Sequence, residues 1–222
     1  MDAYHVVQNQ IRILYSQSVI TFFFPLLVAP AMGAILWDIS SHKILLVWTG
    51  SVILYSLFRY LIIWLQHKSE ITPENAEFWH DLFTGSVFIS GILWGVAPII
   101  LVPYEPARLI EFTLYNSLAV LILCGLVAGA VVAYSVSKWV LFFYSFPAMV
   151  PPAFYLISLG DKYNSALGGF VLLYFVFITA SSFRLHRQFL FYLGIEYKMD
   201  CLSRQYEGLM NNYQQLKQSI HR

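Results

Sequence analysis

Charge is what this sequence has least of. Of its 222 residues only 11% are Asp, Glu, Lys or Arg, against 59% hydrophobic and 18% aromatic. A soluble domain carries about 25% charged residues. At less than half that share, a water-soluble fold has too little polar surface to cover itself, whereas a bilayer solvates apolar side chains directly. The net charge of +1 excludes a bulk electrostatic attraction to nucleic acid. Cysteine is nearly absent: Cys124 lies in an apolar run and Cys201 in a polar tail, so no disulfide framework is implied. No cleavable leader is expected either. Arg12 is the one basic residue among the first 18, and no small-residue cleavage pattern ends the apolar run after it, so the N-terminus is expected to be retained.

Catalytic motifs are also lacking. There is no G-x-S-x-G, Walker loop, H-E-x-x-H or C-x-x-C. Glu77-Phe78-Trp79-His80 has the E-x-x-H spacing of a di-iron bundle, but that site needs a second copy on another helix, and the sequence has none. The histidines (His5, His42, His67, His80, His186, His221) fall at the ends of apolar runs or outside them. No catalytic, cofactor-binding or metal-binding residue is therefore assigned, no cofactor is expected, and these residues are not expected to form an enzyme. Ionisable residues inside apolar runs are sparse. Arg59 lies six residues from the end of its run and is expected to snorkel toward water. Glu111 sits within one turn of the start of its run. This sparseness argues against an ion-coupled transporter.

What is present is a series of six apolar runs: 19–37, 44–65, 82–102, 109–134, 139–159 and 166–183. A spanning helix needs about 20 mostly apolar residues, while a membrane β-barrel needs alternating segments of about 10. The runs are continuous, so the expected fold class is all-α: an integral membrane bundle of six transmembrane helices followed by a C-terminal cytoplasmic coiled-coil helix. Residues 1–18 read as an amphipathic helix lying at the interface, with Val6, Val7, Ile11 and Leu14 roughly on one face. Residues 19–183 form the transmembrane domain and 184–222 the cytoplasmic helix. Four of the five connections are short, which makes sequential helices antiparallel neighbours. Thr72-Pro73-Glu74 marks a helix start near Pro73, with Phe78 and Trp79 as an interfacial anchor.

Basic residues set the orientation. With the N-terminus in the cytoplasm, Arg12, Arg59, Lys68, Lys138, Arg184, Arg187, Lys198, Arg204, Lys217 and Arg222 fall on the cytoplasmic side. Lys43, Arg108 and Lys162 fall on the other. That is ten against three, six of the ten coming from the tail. Both termini are expected in the cytoplasm.

The tail carries the clearest pattern. Tyr192, Ile195, Met199, Leu202, Tyr206, Leu209, Tyr213, Leu216 and Ile220 recur at alternating spacings of three and four, an unbroken heptad seam. Tyr192, Met199, Tyr206, Tyr213 and Ile220 take position a; Ile195, Leu202, Leu209 and Leu216 take position d. The stripe is narrow, as a two-stranded seam requires, where a membrane-surface helix has a wider apolar face and more Lys and Arg. A homodimer through this seam is expected. The competing reading is one amphipathic helix packed on its own chain or on the membrane. Gly208 weakens the helix by about 1 kcal/mol relative to alanine, so the coiled coil is marginal alone. The seam meets no capping stop before Arg222, and the chain is expected either to continue in a longer parent or to be a natural truncation of one.

Small residues mark helix contacts. Gly91-x-x-x-Gly95 and Gly125-x-x-x-Gly129 permit close backbone approach, so the third and fourth helices are expected to pack tightly on each other, with oligomerisation through these motifs as the alternative. Pro98, Pro147, Pro151 and Pro152 lie inside spans and kink them. Kinks open cavities, so a pocket for a small hydrophobic ligand among helices three to five is a candidate, with Trp94, Glu111, Tyr115 and Asn116 as its polar or aromatic members. Ordinary packing and interface anchoring is the competing account of these four.

Taken together, Arg12-Ile13-Leu14-Tyr15-Ser16-Gln17, Phe78-Trp79-His80, Ser90-Gly91-Ile92-Leu93-Trp94-Gly95, Gly125-Leu126-Val127-Ala128-Gly129-Ala130, Phe146-Pro147-Ala148-Met149-Val150-Pro151 and Phe183-Arg184-Leu185-His186-Arg187 resemble the six-helix N-terminal membrane region of bacterial sensor histidine kinases and GGDEF diguanylate cyclases. The resemblance spans about the whole chain. It implies a sensory and dimerisation module in a bacterial inner membrane, feeding a cytoplasmic output domain through a signalling helix. Neither a His-Glu phosphoacceptor motif nor GGDEF occurs in these residues. A small transporter or channel is the alternative from another class.

Overall fold

The computed structural model describes the backbone of residues 3–220, and the side chains of all of these except 3–9, 18–22, 196, 197, 200 and 211–220. Among the described residues the chain is all-helical, with no strand: α1 (Ala3–Ile35), α2 (His42–Lys68), α3 (Ala76–Ile100), a 3-10 turn at Pro106–Arg108, α4 (Leu109–Tyr134), α5 (Lys138–Ser158) and α6 (Lys162–Ile220). Among the described residues five segments are long and apolar enough to cross a membrane: His42–Lys68, Ala76–Ile100, Pro106–Tyr134, Lys138–Ser158 and Lys162–Ile195. In α1 the described apolar stretch, Phe23–Ile35, is shorter than these. Large apolar side chains such as Leu27, Leu54, Leu121, Val132, Phe154 and Phe177 point outward, as lipid allows and water does not.

Local chemistry explains where the helices stop. Gly160 takes φ +76, a left-handed conformation that costs glycine little and that suits a helix C-terminus. The next residue, Asp161, caps α6: its Oδ1 accepts from the backbone N–H groups of Tyr163 at 3.1 Å and Asn164 at 3.0 Å. Those hydrogen bonds, that from Asn164 foremost, hold its carboxyl below the usual carboxylate range. Before α3, the Thr72 carbonyl accepts from the N–H groups of Asn75 and Ala76. The start expected near Pro73 is therefore a turn, and the α-helix proper begins at Ala76.

Packing differs from the expected order of neighbours. α1 lies on α2 and α5 on α6, as sequential helices should, but the main partner of α3 is α5 rather than α4. The glycines decide this. A Cβ on Gly91 would meet the Tyr144 carbonyl and one on Gly95 the Pro147 carbonyl, so α5 backbone fills both notches. Gly168 of α6 makes the same kind of approach, its Cβ position lying 2.6 Å from the Ala153 carbonyl. α5 is thus clasped between α3 and α6. Gly125 and Gly129, expected to close a contact between α3 and α4, have nothing within 4 Å of their Cβ positions. They bare the side of α4 instead.

At each end of the described chain one helix joins a more polar stretch to an apolar one. α1 runs from Ala3 through Ile35 as one helix, so residues 10–17 belong to the same helix as the apolar stretch that follows. Ile11 and Leu14 are fully buried; Val6 and Val7 lie outside the described side chains. The Tyr15 hydroxyl donates to the Trp79 carbonyl at 3.0 Å, and its ring leans on Phe83 at 5.0 Å. That contact buries Trp79, while Phe78 stays exposed as an interfacial anchor would. α6 is one helix of 59 residues, about 90 Å long at 1.5 Å per residue. His186 Nδ1, in the tautomer that donates, bonds to the Val136 carbonyl at 2.9 Å and ties α6 to the connection between α4 and α5. Past this tie Tyr192, Ile195, Met199, Leu202, Tyr206 and Leu209 are all exposed. Tyr213, Leu216 and Ile220 lie outside the described side chains.

Candidate functional site

The helix packing leaves one charge in an unexpected place. α2 extends to Lys68, so Arg59 is nine residues from that end, or about 14 Å of helix. It does not snorkel. Its side chain turns inward and the residue is only 6% exposed. A cation at membrane depth is costly and is tolerated where it faces the bundle interior or a cavity and finds partners.

Its partners are aromatic. Arg59 Nη2 donates to the Tyr134 hydroxyl of α4 at 3.0 Å. The guanidinium carbon stands 6.0 Å from the centre of the Phe83 ring of α3, at the outer reach of a cation–π contact. Phe83 meets Tyr134 edge-on at 5.9 Å, and Tyr134 meets Tyr144 of α5 edge-on at 5.7 Å. One turn before Arg59, the Tyr55 hydroxyl donates to the Ser86 carbonyl at 2.7 Å and fixes α2 against α3. Four helices are thereby locked around one guanidinium. Among the described residues, the ion pairs join His80 to Asp81 and Arg108 to Glu105 and Glu111; Arg59 is in none of them.

A cavity of about 240 Å³ opens beside this group. Arg59, Tyr134, Tyr144 and Ser90 form its polar side. Phe24 and Pro25 of α1 and Gly125, Leu126, Gly129 and Ala130 of α4 form the apolar side. Phe24, Gly125 and Gly129 are themselves exposed on the outer surface of the bundle, so the cavity reaches the flank that lipid would cover. The two glycines expected to pack helices are what leave that flank open.

The four residues expected to line a pocket are not brought together. Trp94 is buried edge-on against Trp48 at 5.3 Å, and the Trp48 indole N–H donates to the Leu93 carbonyl at 2.8 Å; both are packing roles. Glu111 is exposed, 3.9 Å from Arg108. It shares a cleft of about 90 Å³ with Tyr115 at the bundle end. Asn116 is fully buried, and neither of its amide atoms has a hydrogen-bond partner among the described residues. It lies one turn along α4 from Thr113, whose hydroxyl accepts from Asn164 of α6 at 3.3 Å. The residue that sequence reasoning passed over is Arg59. The signal was there, an arginine inside an apolar run, but it was discounted because the run ended sooner than the helix does.

The cavity offers one fixed positive charge, two tyrosine rings with hydroxyls and an apolar approach. That set is chemically suited to an anionic or strongly hydrogen-bond-accepting group. No protein-family model, characterised protein or solved structure matches this chain.

Proposed function

We propose that this chain is the membrane-embedded sensory and dimerisation module of a bacterial signal-transduction receptor of the sensor histidine kinase type. In this reading α1 supplies a sixth span over residues 19–37, both termini face the cytoplasm of an inner membrane, and two copies meet along the tail seam. The helix then relays a membrane or ligand signal to an output domain outside these residues. A GGDEF diguanylate cyclase is the same reading with a different output.

The observation that supports it is α6. One helix runs from Lys162, through an apolar stretch ending at Ile195, into a polar stretch whose apolar residues follow the heptad seam. The junction at 183–188 carries no glycine or proline. A continuous helix transmits a rotation or a piston shift, and a relay needs two packings of the dimer that differ in free energy.

The test is helical phase. The chain is joined after Arg222, in register, to the catalytic region of a histidine kinase, and residues are inserted between Arg187 and Phe189. Seven inserted residues keep the heptad register and should leave phosphorylation near its starting level. Four residues add about 1.1 turns and reset the seam, locking output on or off. A smooth decline with insert length would make α6 a tether and sink the relay.

The transporter alternative gains one specific observation, the buried Arg59 beside a cavity, since ionisable residues at membrane depth mark substrate pathways. Flux of a labelled anion into vesicles holding the purified chain separates the two readings.

A further inference from the structure

We propose that the cavity beside Arg59 binds the carboxylate head of a single-chain amphiphile, a fatty acid entering sideways from the bilayer. The inference concerns what the site holds. It stands whether or not occupancy is passed along α6, so failure of the relay leaves it intact and its own failure leaves the relay intact.

Charge is the first argument. Arg59 is buried and lines the cavity, its described hydrogen-bond partner is a phenol hydroxyl, and it is in none of the described ion pairs. A guanidinium carries five N–H donors in a planar fork. Tyr134 takes one of them. The fork matches a carboxylate in two parallel hydrogen bonds, and one carboxylate neutralises one arginine. Ser90 and Tyr144 line the same space and offer hydroxyl donors for the remaining lone pairs.

Size and access supply the rest. About 240 Å³ lies below the roughly 300 Å³ where pockets for drug-sized ligands begin. It accommodates a small head and the first few methylenes, whereas a phospholipid phosphate, esterified on both sides, brings its glycerol into the same space. The open side lies between Phe24 and the stretch of α4 bared by Gly125 and Gly129, and all three are exposed on the outer flank. A ligand arriving there comes from lipid, so an acyl chain can remain in the bilayer while the head reaches the guanidinium. Gly129 is the position where the geometry is most telling. Nothing lies within 4 Å of its Cβ position, so no packing constraint there requires glycine, while a larger side chain would occupy the passage.

The experiment uses the full chain in neutral-headgroup micelles with a photoactivatable palmitate. Labelling should saturate and map to α1 and α4 around the cavity. Unlabelled palmitate should compete at least tenfold better than hexadecanol, which has the same chain without the charge. Arg59→Gln should lower labelling at least tenfold, about the loss of one charge-assisted hydrogen-bonded pair. Gly129→Leu retains Arg59 and should lower labelling to a similar degree, which keeps the test valid if the arginine variant does not fold. Any of these results overturns the proposal: equal competition by hexadecanol, wild-type labelling of a folded Arg59→Gln or of Gly129→Leu, or no saturable labelling. Competition by acetate or inorganic phosphate at the same concentration as palmitate would also overturn it, by showing a site for a free anion without an acyl chain.

Discussion

Arg59 of α2 donates to the hydroxyl of Tyr134 of α4 across 3.0 Å, joining two helices at a sequence separation of 75. The bond sits among apolar side chains, where an unpaired donor is expensive and a paired one is firm. It also accounts for a cation in the bundle interior. The phenol, the Phe83 ring and the cavity share the guanidinium, so its charge is neither in lipid nor tightly neutralised.

Tyr134→Phe keeps the ring contacts with Phe83 and Tyr144 and removes only the hydroxyl. It should destabilise the bundle by about 1.5–3 kcal/mol, the usual cost of losing a hydrogen bond to a charged group. Thermal unfolding of the purified protein in one fixed detergent measures this. An unchanged midpoint would mean that the arginine finds an equal partner without the phenol.

The glycines of α3 and α4 should respond in opposite ways. Gly95→Ala places a methyl against the Pro147 carbonyl and the Ala148 backbone, which α3 and α5 can admit only by moving apart, at a cost of about 1–3 kcal/mol. Gly129→Ala meets open space and should change stability by less than about 0.5 kcal/mol, or raise it through helix propensity. The same unfolding assay, run on both variants, would reject this account if the two behaved alike.

Asp161 predicts a pH dependence. Its folded carboxyl is held below the usual range by the N–H groups of Asn164 and Tyr163 and the Asn164 side chain. A depressed folded pKa means that its contribution is fully present above the unfolded value and disappears as the pH falls through the folded one. Asp161→Ala should therefore be less stable than the parent at pH 7, with the gap closing as the pH drops below the ordinary aspartate range. A constant gap from pH 7 to pH 3 would show that the cap acts without its charge.

Seam geometry predicts where two copies touch. Single cysteines at Leu202, Leu209 and Leu216, in a background where Cys201 is serine, should cross-link between chains in native membranes several times faster than cysteines at Arg204 or Asn211. Uniform cross-linking around the helix would remove the seam as an interface.

Orientation is read with reporters. A fusion after Arg222 to an enzyme active only outside the cytoplasm should stay silent, and a cytoplasm-active fluorescent fusion at the same place should be bright. The opposite pattern would reverse every span.

Helical, membrane-suited structure was legible from the sequence alone, because it depends on local quantities: the length of each apolar run, the interruptions between runs and the period of the tail. The lengths of α3 and α4 follow the runs 82–102 and 109–134 within a few residues at most points. The exception is the start of α3, which the polar turn at Thr72–Asn75 feeds before the apolar run begins. The continuity of α6 also follows from composition, since nothing near residues 183–188 interrupts a helix.

What only the tertiary structure decided is which face of each helix meets which neighbour. Two G-x-x-x-G motifs look alike in sequence, yet Gly91 and Gly95 receive α5 backbone while Gly125 and Gly129 are left bare. A small residue permits close approach without naming the helix that approaches. Arg59 shows the same limit. Whether a long cationic side chain rises to water or turns inward depends on how far its helix continues and on whether a phenol and a cavity wait on the inner side, and those partners come from Tyr134, Phe83 and Tyr144 on three other helices.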